Sequence, residues 1–96
     1  MPVNKNVGES ISNYGLKIEY AREYRRITRT DLAEQIGSTY RNILRWESGE
    51  RTPKFDTIYE ISKALHIPLE YFAKDYAVKD LPKMIGKETE LKNGTD

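Results

Sequence analysis

Apolar residues recur at helical spacing from residue 14 onward, and no stretch alternates apolar and polar positions as a half-buried strand would. Tyr14, Ile18, Ala21 and Arg25 share one face with Arg22 beside them, which predicts a first helix over 14–25. Thr28 is a good N-cap with Asp31 three residues on, a variant of the capping box. Leu32, Ala33 and Ile36 follow at 3.6-residue spacing until Gly37 supplies a left-handed stop, so the second helix is short, 29–36. Thr39 caps a third helix, 40–48, that turns Ile43, Trp46 and part of Leu44 inward, and Gly49 ends it. Pro53 stands where a helix can begin but not continue. Phe55, Ile58, Ile61, Ser62 and Leu65 then predict a fourth helix with these residues facing the core, over 54–65. Ile67, Leu69 and Phe72 fit a last, core-closing turn that starts at Pro68. The predicted fold is all-α, a compact five-helix bundle over 14–73 with loops of a few residues.

The two ends read differently. Gly, Asn and Ser crowd residues 4–15, which predicts a flexible N-terminal arm, 1–13. Beyond 73, Val78, Leu81, Met84 and Ile85 have the spacing of an amphipathic turn or two, but Pro82 and Gly86 argue against a long helix. The last ten residues hold too little apolar surface to pack alone. The expectation for 74–96 is a tail, either dimerising or without fixed structure. On the first helix, Leu16, Tyr20 and Tyr24 form a stripe at i, i+4 and i+8, away from the Ile18 face. Three readings stand for it: cover by Val78, Leu81 and Ile85 folding back, a partner surface, or tolerated surface residues.

Composition narrows the class. The chain has 96 residues and no cysteine, so one small domain must hold itself together by an efficient core or by self-association. A mean hydropathy of −0.76, no long apolar run and no apolar segment behind the N-terminus argue for a cytoplasmic protein without a membrane span. The net charge of +1 does not announce a nucleic-acid partner. Its distribution does. All seven arginines lie between 22 and 51, while the flanks use only lysine, and between 22 and 54 eight cations face five anions. Arginine's planar fork suits bidentate contacts to phosphate and guanine.

Two short helices, 29–36 and 40–48, flank Gly37-Ser38-Thr39, which is the geometry of a helix-turn-helix. The stretch LAEQIGSTYRNILRWESGERTP, residues 32–53, resembles the Cro/C1-type (XRE-like) helix-turn-helix, and the likeness extends over about sixty residues, from Tyr14 to Phe72. The resemblance implies a lambda-repressor-like DNA-binding domain whose third helix enters the major groove. It implies base contacts from Tyr40, Arg41, Asn42 and Arg45, with Arg41 and Arg45 the main readers because arginine suits guanine O6 and N7. It implies phosphate contacts from Thr28, Arg29, Thr39, Ser48, Arg51, Thr52 and Lys54, which position the protein without reading sequence. Arg22 and Glu47 occupy the slots of an internal ion pair in that family, and Trp46 belongs to the core. The chain departs from the pattern at three places: Ser38 replaces an apolar residue and weakens the hydrophobic staple, His66 stands where Gly or Asn ends the fourth helix, and Arg29 replaces a common Gln.

Nothing in the sequence supports catalysis: it holds no HExxH, no phosphate-binding glycine loop, no nucleophile motif, no metal-ligand cluster and no cofactor motif. The expected function is sequence-specific binding of double-stranded DNA by a transcriptional repressor, acting as a homodimer on a palindromic operator. The alternative is an antitoxin or adaptor that uses the Leu16/Tyr20/Tyr24 surface or the tail on a protein partner, with DNA binding secondary.

Overall fold

In the computed structural model, residues 14–94 are described, apart from the side chains of 88 and 90–94. The arm expected over 1–13 lies outside the described residues. The helices are α1 (Tyr14–Tyr24), α2 (Arg29–Ile36), α3 (Tyr40–Ser48), α4 (Phe55–Leu65), α5 (Leu69–Ala73) and α6 (Leu81–Gly94), with a 3₁₀ turn at Val78–Asp80 before the last. The fold class is all-α, with six helices among the described residues where the sequence predicts five.

One core runs through the bundle. Ile18 and Ala21 of α1, Leu32 and Ala33 of α2, Ile43 of α3, Ile58, Ile61 and Leu65 of α4, and Tyr71 and Phe72 of α5 are all buried together. Each large member contributes about 1.5–3 kcal/mol by leaving water. Phe55 is an exception and a correction. Its spacing predicts an inward side chain, yet it is 69% exposed, because it is the first residue of α4 and projects beyond the core edge beside Tyr14 and Leu69.

The extra helix comes from the tail. Pro82 is the second residue of α6, where a missing N–H breaks no intrahelical bond, so it does not stop the helix that Leu81 starts. Leu81 and Ile85 are buried in the common core, while Val78 is 40% exposed. The helix lies on α1, and Gly86 faces the Tyr24 ring with room to spare. Leu16 and Tyr20 are thereby partly buried, and Tyr24 keeps an exposed edge.

Two contacts fix α1 that the apolar pattern does not show. Gly15 lies inside α1, not in a loose arm, and a Cβ there would stand 2.5 Å from the Trp46 carbonyl oxygen and 2.6 Å from that of Glu47. The backbones of α1 and α3 therefore meet with no side chain between them. The other contact is Lys17, only 1% exposed, whose Nζ donates to the carbonyls of Phe72 at 3.1 Å and Lys74 at 2.6 Å. A cation thus closes the C-terminal end of α5, where free carbonyls and the helix dipole favour positive charge. The Tyr71 hydroxyl returns the link by donating to the Lys17 carbonyl at 3.1 Å. Burial holds the Lys17 ammonium below its usual 10.5, opposed by Asp75.

Arg25 does the same for α4. Its Nε and Nη2 donate to the carbonyls of Leu65 and His66, each at 2.7 Å. His66 itself is the left-handed C-cap, with φ 55° and ψ 43°. The helix ends on His66 as the sequence predicts, but the capping charge comes from Arg25, one of the cations counted in the basic segment.

Gly15→Ala is expected to lower unfolding free energy by about 1–3 kcal/mol, because the methyl meets backbone rather than a movable side chain; chemical denaturation of both proteins checks this. The Lys17 shift has a definite sign. With the native value depressed, the unfolded chain binds more protons between that value and 10.5, so stability rises with pH across that window. Lys17→Met should flatten the rise in urea-unfolding midpoints measured from pH 8 to about 10.5.

Candidate nucleic-acid interface

The turn between α2 and α3 is built by local chemistry. Gly37 takes φ 69°, a region closed to most side chains, and the Ser38 N–H donates back to the Ala33 carbonyl at 2.8 Å. Thr28 and Thr39 cap the two helices: their Oγ1 atoms accept from Asp31 N at 3.0 Å and Asn42 N at 3.1 Å. Such a cap contributes about 1 kcal/mol and, more to the point, sets where each helix begins.

Held this way, α3 divides into two faces. Ile43 and Glu47 are buried, and Trp46 packs half-buried against the core. Tyr40, Arg41 and Leu44 are exposed and Arg45 half-exposed. Arg41, Leu44, Arg45 and Ser48 line one shallow depression with Glu50. Asn42 sits elsewhere. It is half-buried, its Nδ2 donates to Ser38 Oγ at 3.0 Å, and it lines a cleft behind the turn with Trp46, Asp56 and Glu60. The geometry thus brings Arg41 and Arg45 together and turns Asn42 away from them. It also gives Ser38 a partner: the residue expected only to weaken an apolar staple supplies a polar tie across the first turn of α3.

The residues expected to meet phosphate are mostly open to solvent. Thr28, Thr39, Ser48, Arg51, Thr52 and Lys54 are exposed, and Arg29 is half-exposed at the start of α2. The loop after α3 is folded back on the helix end. Arg51 N donates to the Arg45 carbonyl at 3.2 Å, and Ser48 Oγ accepts from Glu50 N at 3.3 Å. Glu50 also reaches Arg45, Nε to Oε2 at 3.6 Å, an exposed pair of small energetic weight.

Beneath the surface lies an ionic hub. Arg22 Nε donates to Glu47 Oε2 at 2.7 Å, Arg22 Nη2 to Oε1 at 3.2 Å, and Arg22 Nη1 to the Ile27 carbonyl at 3.0 Å. The Glu47 side chain is 2% exposed. Its Oε1 accepts a second cation, Arg29 Nε, at 2.8 Å. One carboxylate therefore joins α1, α2 and α3. The Arg29 link escaped the sequence reading, which assigned Arg29 to phosphate alone; nothing in the spacing of 29 and 47 marks them as neighbours. Leu44 and Glu50 were also passed over, Leu44 because its position reads as partly inward.

This arrangement, two short capped helices about a left-handed glycine with a polar outer face on the second, defines a helix-turn-helix. A helix-turn-helix family model matches residues 18–72, more than half of the chain, and the protein belongs to that family, of the Cro/C1 type. Among relatives, the chain is 31% identical over 64 residues to an uncharacterized HTH-type transcriptional regulator, y4wC, of Sinorhizobium fredii, covering 67% of this chain and 45% of the relative. It is 28% identical over 64 residues to an uncharacterized transcriptional regulator in the ATPase CF(0) region of Rhodospirillum rubrum, covering 67% of this chain and 59% of the relative. The chain thus spans about half the length of these relatives. No solved structure matches it. Among the described residues, no helix is long and apolar enough to cross a membrane.

Glu47→Gln is expected to destabilise the protein by about 3–5 kcal/mol, because it leaves the buried Arg22 cation without its counter-charge. Replacing both partners, Arg22→Met with Glu47→Leu, should recover much of that loss. Urea unfolding of the three proteins measures the difference.

Proposed function

We propose that this protein is a transcriptional regulator that binds double-stranded DNA in a sequence-specific manner, with α3 in the major groove. In this reading it acts as a repressor, as a homodimer on a palindromic operator in the cytoplasm. The observation that carries the reading is the outer face of α3: Arg41 and Arg45, one turn apart, stand beside exposed Tyr40 and Leu44 on a helix whose two ends are capped. Arg41 and Arg45 are the base readers, bidentate to guanine where the operator presents it. Leu44 offers an apolar surface suited to a thymine methyl. Thr28, Thr39, Ser48, Arg51, Thr52 and Lys54 position the domain on the backbone, as does the free edge of Arg29. Asn42 has a lesser part, its amide being engaged with Ser38.

A domain of this size covers only a few base pairs, so two copies on half-sites about one helical turn apart supply the required length. The family membership and the names of the relatives support the DNA-binding reading. The alternative, a protein-binding stripe at Leu16, Tyr20 and Tyr24, has less free surface to work with, because α6 lies across much of it.

Binding to random duplex DNA measured against salt should give a log–log slope of several units, and a flat response overturns the reading. On a site selected from random sequence, Arg41→Ala and Arg45→Ala should each cost about 1–3 kcal/mol and relax preference at single positions. Full discrimination in either variant removes that residue from the base-reading set.

A further inference from the structure

Where α6 crosses α1 it leaves part of the Leu16/Tyr20/Tyr24 stripe open. A groove of about 350 Å³ runs between the two helices, lined by Tyr20, Glu23 and Tyr24 of α1 and Pro82 and Ile85 of α6. Its lining is apolar apart from Glu23 and the tyrosine hydroxyls: Ile85 is buried, Tyr20 is half-buried, and Tyr24 and Pro82 are exposed. Val78, four residues before Pro82, is 40% exposed. The Tyr24 ring is held in place by the Arg25 guanidinium, 5.2 Å from its centroid, and Arg25 is itself tied to the Leu65 and His66 carbonyls. The groove is therefore bounded by fixed groups, and its apolar surface is left in contact with water.

The charges beside it are sorted by sign. On the α1 side, Glu23 is exposed and Glu19, one turn before it, is half-exposed. Like charges at this spacing on a helix repel. On the α6 side, Lys79 and Lys83 are both exposed. None of the four makes an ion pair among the described residues. An apolar strip thus lies between an acidic side and a basic side, and neither side is neutralised within the chain.

We propose that this groove is a dimer interface, occupied by α1 and α6 of a second copy of this chain. The inference rests on the homodimer reading above and names the surface that makes the dimer. A twofold axis running along the groove turns left into right, so α1 of each copy faces α6 of the other. The glutamates of one copy then meet the lysines of the other, on both sides of the axis. A patch with one sign on each side of an apolar strip is in this way its own complement, and a second copy supplies the matching pattern without any further requirement. An apolar centre with a charged rim is also the usual anatomy of a specific interface. The rim pairs add little affinity but fix which surface is accepted and in which orientation. α6 begins after the residues that the family model matches, so the surface is built by a part of the chain outside the helix-turn-helix pattern.

The test is sedimentation equilibrium of the full 96-residue chain without DNA, over a range of concentrations. The wild-type chain is expected to dimerise, more weakly as salt rises. Glu23→Lys and Lys83→Glu each set like charges together twice, once on each side of the axis, and each should weaken the dimer by about tenfold or more. An equimolar mixture of the two variants should recover dimerisation, because each lysine at 23 or 83 then faces a glutamate. Tyr24→Ser should weaken the dimer without any salt dependence of the loss. Glu23 and Lys83 are exposed, so both charge variants should keep the wild-type urea midpoint. A wild-type chain that stays monomeric at every concentration overturns the proposal. So does a dimer that both charge reversals leave unchanged, or a mixture that stays monomeric when the wild type does not. The homodimer reading is checked apart from this, by counting copies on a selected palindromic duplex. Two copies there, with a monomer in free solution, remove this surface and leave that reading standing; a single copy there removes the reading itself.

Discussion

A single carboxylate governs the geometry of this domain. Glu47 sits at the buried end of α3 and accepts from Arg22 of α1 and Arg29 of α2. A charge so enclosed is tolerable only when it is paired and hydrogen-bonded on both oxygens, and both of its oxygens are used. The constraint works in both directions. The helices must hold the arginines in place for Glu47 to be buried, and Glu47 holds the three helices in register. Polar contacts of this kind add little net stability compared with an apolar core of equal volume, but they admit few alternative arrangements. The apolar core of Ile18, Leu32, Ile43 and Ile61 supplies the drive to collapse, and the hub ties α1, α2 and α3 together at one point beside it.

The charge count takes on a different meaning once the structure is known. Between 22 and 54 the chain carries an excess of cations, all but one of them arginine. Arg22 is enclosed with Glu47, and Arg25 is committed to the carbonyls at the end of α4. Arg29 is partly committed, and Arg45 shares space with Glu50. Much of the apparent basic surface is therefore internal scaffolding, and Arg41 and Arg51 make no ion pair among the described residues. A modest exposed positive charge gives weak attraction to arbitrary DNA. On the proposed reading, discrimination then falls to a small number of side chains on the outer face of α3.

Legibility from the sequence follows the range of the interactions. The helices from 29 to 65 are readable within a residue or so, because Thr28, Gly37, Thr39, Gly49 and Pro53 act on their immediate neighbours. The Arg22–Glu47 slots and the exposed Arg41 and Arg45 follow from the family pattern and from helical spacing. The pattern does not reveal contacts between residues distant in the chain that depend on backbone placement. Gly15 resembles a loop residue until α3 is set against it, and Lys17 resembles a solvated lysine until α5 ends above it. Phe55 has core spacing but sits at the edge of its helix. For the tail, Pro82 and Gly86 carry real helix penalties, and the burial of Leu81 and Ile85 against α1 outweighs them. That is a tertiary term which no local window contains.

The close approach at Gly15 has a mechanical consequence. Where the α1 backbone rests on the Trp46 and Glu47 carbonyls, no side chain lies between the two helices to give way, so that end of α3 has little freedom to tilt or slide. If two such rigid heads are to engage adjacent grooves of one duplex, the duplex must supply the accommodation. The energy of bending or twisting base pairs that no side chain touches then becomes part of the recognition, and flexible pyrimidine–purine steps between the half-sites are favoured over stiff tracts. On the proposed reading of two copies on one duplex, the glycine that lets two helices meet would thereby shift part of the sequence preference from the protein's side chains to the elasticity of the DNA.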